Sequence, residues 1–237
     1  MIEKNQIYNI DCYKGIKNIP DKSIDLVIID PPYLINNHGG FVYNDMGKGL
    51  RKLNNELENA NITNGYDLSL LDELVRVMKK INIYIWCNGK QIPDYLKYFV
   101  DGHKCSYDFL IWNKTNAMPL FNNKYLSDKE YCLYFRKGGK CMPENYNDAK
   151  TVYYLPINAK DKKKWNHPTI KPLDIIRTLI RNSSNKGDTV LDCFMGSGTT
   201  AIACLEEDRK FIGFEINKDY YNISINRLEE YYDKNNE

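Results

Sequence analysis

The fold is decided by one stretch, Thr189-Val190-Leu191-Asp192-Cys193-Phe194-Met195-Gly196-Ser197-Gly198-Thr199-Thr200. A short apolar run ends on an acidic residue, two glycines follow with one residue between them, and helix-forming composition begins at Thr199. The order is strand, Gly-rich turn, helix. Glycines let the main chain turn tightly and approach a ligand closely, and the helix start presents N–H groups that lack an intrahelical partner. The next apolar run, Phe211-Ile212-Gly213-Phe214, reads as a strand ending at Glu215. A carboxylate at that place can accept both hydroxyls of a ribose.

Gly196 to Ala201 satisfies the G-x-G-x-x-A pattern of dinucleotide sites, so a nicotinamide cofactor has to be weighed. A Walker A loop does not fit, because no lysine follows Gly198. Position separates the remaining readings. Residues 216–237 hold one helix and nothing more, so the rest of the sheet must come from residues before the motif. A dinucleotide enzyme places this motif early, and the order found here points away from a dehydrogenase.

Working backward, short apolar runs alternate with stretches of helix period, the pattern of an α/β protein. Strands are expected at Ile24–Ile29, Ile83–Trp86, Phe109–Trp112, Tyr131–Phe135 and Val152–Leu155, besides those ending at Leu191 and Phe214. A helix is expected through Leu68–Met78, another from Pro172 to about Arg181, a third over Thr199–Glu207, and a closing one through Leu228. Residues 34–65 are polar and rich in Asn and Gly, and read as a mobile loop. Loops of that length inside compact domains are usually functional or disordered.

The first of those strands stops at Asp30-Pro31-Pro32-Tyr33. Proline cannot continue a ladder, so a plain strand terminator explains the pair. The location adds to this: it is the carboxyl end of a buried strand, where α/β sheets place their ligand crevice.

The 237 residues are 43% hydrophobic and 27% charged, enough apolar content for a substantial core despite a mean hydropathy of −0.57. A net charge of +2 says little about partners unless basic residues cluster. The seven cysteines are odd in number and no two are separated by two residues, so neither a zinc ribbon nor a disulfide framework is written, and no metal is expected. A reducing, cytoplasmic setting fits that usage. No basic start precedes an apolar stretch and no uncharged run approaches the ~18 residues that span a bilayer, so secretion and membrane insertion are not expected. Nineteen tyrosines are unusual, and most are read as core-edge residues.

Together these segments resemble the DNA amino-methyltransferases, S-adenosylmethionine-dependent enzymes that methylate an exocyclic amine. The resemblance is to the subgroup whose Asp-Pro-Pro-Tyr precedes the Gly-rich motif. It covers nearly the whole chain: Asn9-Ile10-Asp11-Cys12; Pro20 to Asp25 leading into Asp30-Pro31-Pro32-Tyr33; Trp112-Asn113-Lys114; His167-Pro168-Thr169-Ile170-Lys171-Pro172; Gly187 to Thr200; and Phe211 to Glu215. It implies a Rossmann-like methyltransferase fold in a single domain over 1–237. The expected sheet is mostly parallel and seven-stranded with one antiparallel hairpin strand, helices on both faces and a circularly permuted motif order.

The resemblance also implies roles. Asp30 would accept one N–H of the target amine and the Pro31 carbonyl the other, with Pro32 fixing the turn and Tyr33 stacking on the base. Adenine N6 is the expected target. Cytosine N4 is the alternative, disfavoured because such enzymes more often carry Ser where Asp30 stands. Phe194, Gly196, Ser197, Gly198 and Thr199 would line S-adenosylmethionine, Asp192 would sit near its amino group, and Glu215 would hold its ribose. Asp11 and Cys12 would read its adenine ring, and Thr169 and Lys171 would meet its carboxylate. Asp11 reads equally as a helix cap and Lys171 as a solvated charge. His167 is read as structural, and nothing is assigned to His38 or His103.

Double-stranded DNA is the implied partner, with base flipping, since a stacked base cannot be reached. The densest basic stretches, Lys137 and Lys140 with Arg136, and Lys160, Lys162, Lys163 and Lys164 beside Trp165, are the candidates for phosphate contact, or else solvated charge. Recognition loops are expected within 34–65 and 113–166. They are small for this family, which leaves room for a short recognition site, a homodimer or a cognate restriction endonuclease. A non-catalytic nucleic-acid-binding module that kept the fold is the rival from another class.

Overall fold

The computed structural model describes residues 2–34, 65–119, 125–165 and 169–235. The loop expected over 34–65 and the structural role read for His167 therefore lie, apart from the loop's two ends, outside the described residues.

Eight strands form one sheet: β1 (Gln6–Tyr8), β2 (Leu26–Ile29), β3 (Ile81–Cys87), β4 (Ser106–Lys114), β5 (Lys129–Lys137), β6 (Val152–Leu155), β7 (Thr189–Asp192) and β8 (Lys210–Phe214). Their order across the sheet is β1-β8-β7-β2-β3-β5-β4-β6. Only β5 runs against its neighbours, inserted between β3 and β4. Seven strands were expected, and the additional one is β1. Three residues with only Ile7 buried are too short to show a period, and the strand exists because β8 offers an edge, pairing Gln6 with Ile212 and Tyr8 with Phe214.

Alternation along the central strands divides the core in two. All four residues of β2 are buried: Val27 and Ile29 join one apolar cluster, Leu26 and Ile28 the other. The first cluster is closed by α1 (Cys12–Gly15), α2 (Leu70–Val77) and α3 (Ile92–Leu96). The second is closed by α5 (Leu173–Ser183), α6 (Thr199–Glu206) and α7 (Lys218–Asn235), while α4 (Ala159–Trp165) buries no residue. Burial on both faces is what parallel strands need, and it explains their unbroken apolar runs. Pro172 caps α5 as its fixed φ favours. Helix α7 runs past Leu228 to Asn235; that outer part is polar and carries the i,i+4 pair Glu230–Lys234.

The middle of the second core contains a polar knot. Tyr84 and Tyr134 stack with centroids 4.1 Å apart. The Tyr134 hydroxyl shares its one proton between Asn82 Oδ1 (2.8 Å) and the Lys140 carbonyl (2.7 Å) and accepts from Ser183 Oγ (3.2 Å). Asn82 Nδ2 in turn donates to the Asp25 and Ser183 carbonyls. The knot ties β3 and β5 to the end of α5. Tyr134→Phe keeps the ring and strands Asn82 Oδ1, so it should cost about 1–3 kcal/mol in urea unfolding, with an unchanged m-value.

Candidate active site

Strands β1, β8, β7, β2 and β3 are adjacent and parallel, so their carboxyl ends form one edge. Along it stand Asp11 and Cys12, then Glu215, then Asp192 to Gly198, then Asp30 to Tyr33, then Cys87. A cleft at this edge is lined by Asp30, Trp86, Thr169, Lys171, Asp192, Phe194, Gly196, Ser197 and Thr199. The two motifs, 160 residues apart in sequence, thus share one cavity.

On the catalytic side, Asp30 leaves β2 with both carboxylate oxygens occupied. Oδ2 accepts from Lys171 Nζ at 2.5 Å and Oδ1 from the Tyr33 hydroxyl at 3.0 Å. Burial pushes the Asp30 carboxyl above its ordinary range, and the Lys171 charge pulls against that shift. Burial alone would drive the proton off Lys171, yet Asp30 and Glu130 outweigh it and hold the ammonium above its usual pKa. The turn after Asp30 is pinned by the segment between β3 and α3: Gln91 Nε2 donates to the Pro32 carbonyl and Asn88 Nδ2 to that of Leu34. The Pro31 carbonyl makes no hydrogen bond among the described residues, which leaves an acceptor beside Asp30.

On the other side, Gly198 begins α6 with φ of 81°, a left-handed conformation, and a Cβ there would approach Ser224 Cβ at 3.0 Å. Only glycine satisfies both constraints. Asp192 is buried at the end of β7 and accepts from Phe194 N (2.9 Å) and Thr200 Oγ1 (2.6 Å). Burial, which those two bonds only partly offset, lifts its pKa to about 7. Glu215 accepts from Gly196 N (2.7 Å) and Asn217 N (2.8 Å), and burial raises its carboxyl as well. Asp11 caps α1 by accepting from Tyr13 N at 2.9 Å, and Cys12 is buried behind it, its thiol pushed by burial up to about 12. The cap reading of Asp11 is thus realised, at a place that also faces Glu215 through Cys12.

Several of the expected site residues have partners within the protein. Lys171, expected to meet the carboxylate of the methyl donor, lines the cleft and is paired there with Asp30 and Glu130. The hydroxyls of Ser197 and Thr199 accept from Arg227 Nη1, at 2.9 and 3.1 Å, together with the Ser197 carbonyl at 2.8 Å. Arg227, buried on α7, therefore braces the Gly-rich turn from behind. Lys137 and Lys140 are not brought to the site. Because β5 is antiparallel, Lys137 lies opposite Ile81, at the amino end of β3, donating to the His103 carbonyl, and Lys140 donates to the Ser184 carbonyl. Helix α4 does reach the site's side: Lys162 feels the charges of Glu130, Lys114 and Lys171, Lys163 is exposed, and Lys164 pairs with Glu230 at 2.6 Å. Glu130, Trp86 and Arg227 carry no motif in the sequence. Trp86 is 1% exposed, and its Nε1 has no hydrogen-bond partner among the described residues, an unused donor on a residue that lines the cleft.

A Gly-rich turn and an Asp-Pro-Pro-Tyr carboxylate facing one cleft suit an enzyme that moves a methyl group onto an amine. A DNA methylase family model matches residues 24–226, and the chain belongs to that family. It is 29% identical to the Type II methyltransferase M2.MboI of Moraxella bovis over 96% of this chain and 89% of that protein. It is 28% identical to the DNA adenine methyltransferase YhdJ of Escherichia coli K12, over 96% of this chain and 83% of that one. Its fold superposes on a crystal structure of the M1.HpyAVI–SAM complex with a TM-score of 0.66 and 27% identity, covering 94% of this chain and 98% of the other. S-adenosylmethionine is the methyl donor.

Arg227→Ala removes three hydrogen bonds from the turn without touching the cleft's catalytic side. It should raise KM for S-adenosylmethionine about tenfold or more while leaving kcat at saturation closer to wild type.

Proposed function

We propose that this chain methylates N6 of an adenine flipped out of duplex DNA. One observation carries the reading: Asp30, at the carboxyl end of β2, lines the same cleft as the Gly-rich turn. That the relative from Escherichia coli is named a DNA adenine methyltransferase supports adenine over cytosine.

The residues of the cleft fit the donor. Asp192 offers a buried carboxylate for an ammonium, Glu215 a carboxylate for a ribose, and Trp86 Nε1 an unpaired N–H for an anionic oxygen. Phe194, Gly196, Gly198 and Thr169 complete that side, with Asp11 and Cys12 at its far end. When bound, S-adenosylmethionine supplies an electrophilic methyl on a sulfonium.

The target amine is a poor nucleophile because its lone pair is delocalised into the ring. Asp30 accepts one N–H and the Pro31 carbonyl the other, which favours a more tetrahedral nitrogen with its lone pair directed at the methyl. Tyr33 gives up its hydrogen bond to Asp30 as the amine arrives and stacks on the base, offsetting part of the few kcal/mol that flipping costs. Lys171 keeps Asp30 anionic until transfer. Once the methyl is on, the nitrogen is cationic and its proton strongly acidic, so a weakly basic Asp30 suffices to receive it. Lys162 and Lys163 on α4 contact backbone phosphate, and Lys164 follows if it releases Glu230.

We extend the reading to the chain acting as one methyltransferase domain in a bacterial or phage-infected cytoplasm, beside a cognate restriction endonuclease. A second copy of the chain widens the small DNA-contact surface.

The test is incubation with S-adenosylmethionine and unmethylated genomic DNA, digestion to nucleosides and mass spectrometry. N6-methyladenine is expected; N4-methylcytosine would replace the target, and no modified base would sink the reading. Asp30→Ala should lower transfer roughly a hundredfold or more with cofactor binding retained. Affinity for S-adenosylmethionine has a pH signature as well. Below about 7 Asp192 is protonated and must lose its proton before pairing with an ammonium. Binding should therefore strengthen as pH rises to that value and level off above it, and Asp192→Asn should bind weakly without the rise, as calorimetry across pH would register.

A further inference from the structure

The Asp30–Lys171 pair does not end at Lys171. Lys171 Nζ lies 3.1 Å from Glu130 Oε2, and Glu130 Oε1 lies 2.7 Å from Lys114 Nζ. Four charges of alternating sign thus run inward from the cleft, Asp30, Lys171, Glu130 and Lys114, contributed by the turn after β2, the segment before α5, β5 and β4. The last three side chains are 9%, 19% and 17% exposed. Removing charges from water is expensive, and replacing such a set by apolar residues is often neutral or stabilising. Lys171 could satisfy Asp30 alone. A second carboxylate on its far side, itself neutralised by a dedicated lysine, is not needed for a simple ion pair.

We infer that Glu130 is a positioning residue for methyl transfer: paired with Lys114, it holds the Lys171 ammonium in place by charge, from the side away from the Asp30 carboxylate. The inference rests on the reading of Asp30 as the group that accepts the amine. Its physical content is that Lys171 has to stay in place when the Tyr33 hydroxyl leaves Asp30 and a neutral amine replaces it. With Asp30 as its only partner, an ammonium on a flexible stem would swing or lose its proton as the cleft dries; between two carboxylates it does neither. The Trp86 ring, 5.1 Å from Lys171 Nζ, closes one side and disfavours water there.

The groups facing Lys171 are Asp30 and Tyr33 from the β2 turn, Cys87 from β3, and Glu130 and Cys132 from β5. Lys162 from α4 adds an opposing positive charge, as does Lys114 through Glu130. Among these, Glu130 and Asp30 are the groups that raise the Lys171 pKa. Removing Glu130 must lower it whatever its role; a positioning Glu130 differs from a merely structural one in that methyl transfer falls with it.

The readout is therefore paired: the titration of Lys171 in the full chain without donor or DNA, and the rate of methyl transfer in the same variant. Acetic anhydride labelling across alkaline pH, with the Lys171 peptide read by mass spectrometry, follows its neutral fraction. Glu130→Gln should bring labelling on at least about one pH unit lower than in wild type. In parallel its single-turnover rate on DNA should fall about tenfold or more, with loss on the alkaline side and an unchanged Kd for S-adenosylmethionine. Because Glu130→Gln leaves Lys114 unpaired, Glu130→Gln with Lys114→Met removes one charge of each sign and should show a smaller Lys171 shift in the same direction. Unshifted labelling in the variants, or a shift with wild-type turnover, overturns the role of Glu130. Full activity of Asp30→Ala with the Lys171 shift intact would instead overturn the reading of Asp30.

Discussion

Five parallel strands side by side can be joined only by connections that cross the faces of the sheet, so every chain segment leaving a strand does so from the same edge. That constraint organises the protein. The turns after β1, β8, β7, β2 and β3 are collected at one rim, although their residues range from Asp11 to Glu215 in sequence. The helices exist to cover the two faces, and their sequences are apolar where they meet the strands and polar elsewhere. The chemistry is confined to the rim because backbone there is not consumed by ladder pairing.

Against that frame of apolar strands, the rim concentrates acidic groups that burial makes reluctant to ionise. Asp30, Asp192 and Glu215 all have their carboxyls raised by burial, and the charges of Asp30 and Glu215 add to the shift at Asp192. The two ends of the cleft resolve this differently. At Asp30 the protein supplies its own cation, Lys171. At Asp192, among the described residues, it supplies a main-chain N–H and the Thr200 hydroxyl but no cation. A cleft that neutralises one carboxylate internally and leaves another partly unmet is prepared to receive a cation at one end and a neutral amine at the other.

Much of this was legible in the sequence, and the boundary of what was legible is physical. Asp30-Pro31-Pro32-Tyr33 and the turn at 196–198 can be read because their meaning is local: a proline pair ends a strand, and a glycine pair permits a turn. Their convergence followed from the α/β pattern. Glu130 could not be read, because its importance comes from β5 being inserted antiparallel beside β3, which brings its first residues to the rim. The same insertion sends Lys137 and Lys140 to the edge opposite the cleft, where they donate to the His103 and Ser184 carbonyls. Strand β1 was invisible for another reason: three residues hold no period, and only the edge of β8 makes them a strand. Arg227 sits in a helix whose surface is mostly polar, and nothing in its neighbours distinguishes it from a solvated arginine.

The pairing of β1 with β8 bears on how the protein is made. Residues 6–8 acquire their hydrogen-bonded partner only when residues 212–214 exist, and Arg227 reaches the Gly-rich turn later still. On the ribosome, therefore, the catalytic turn after β2 emerges long before the sheet can close and the donor's turn can be braced. At about 5–20 residues per second, the strands β2 to β5 wait on the order of ten seconds with an unpaired apolar edge at β2. The interval separates the moment the cleft can hold a ligand from the moment Asp30 appears.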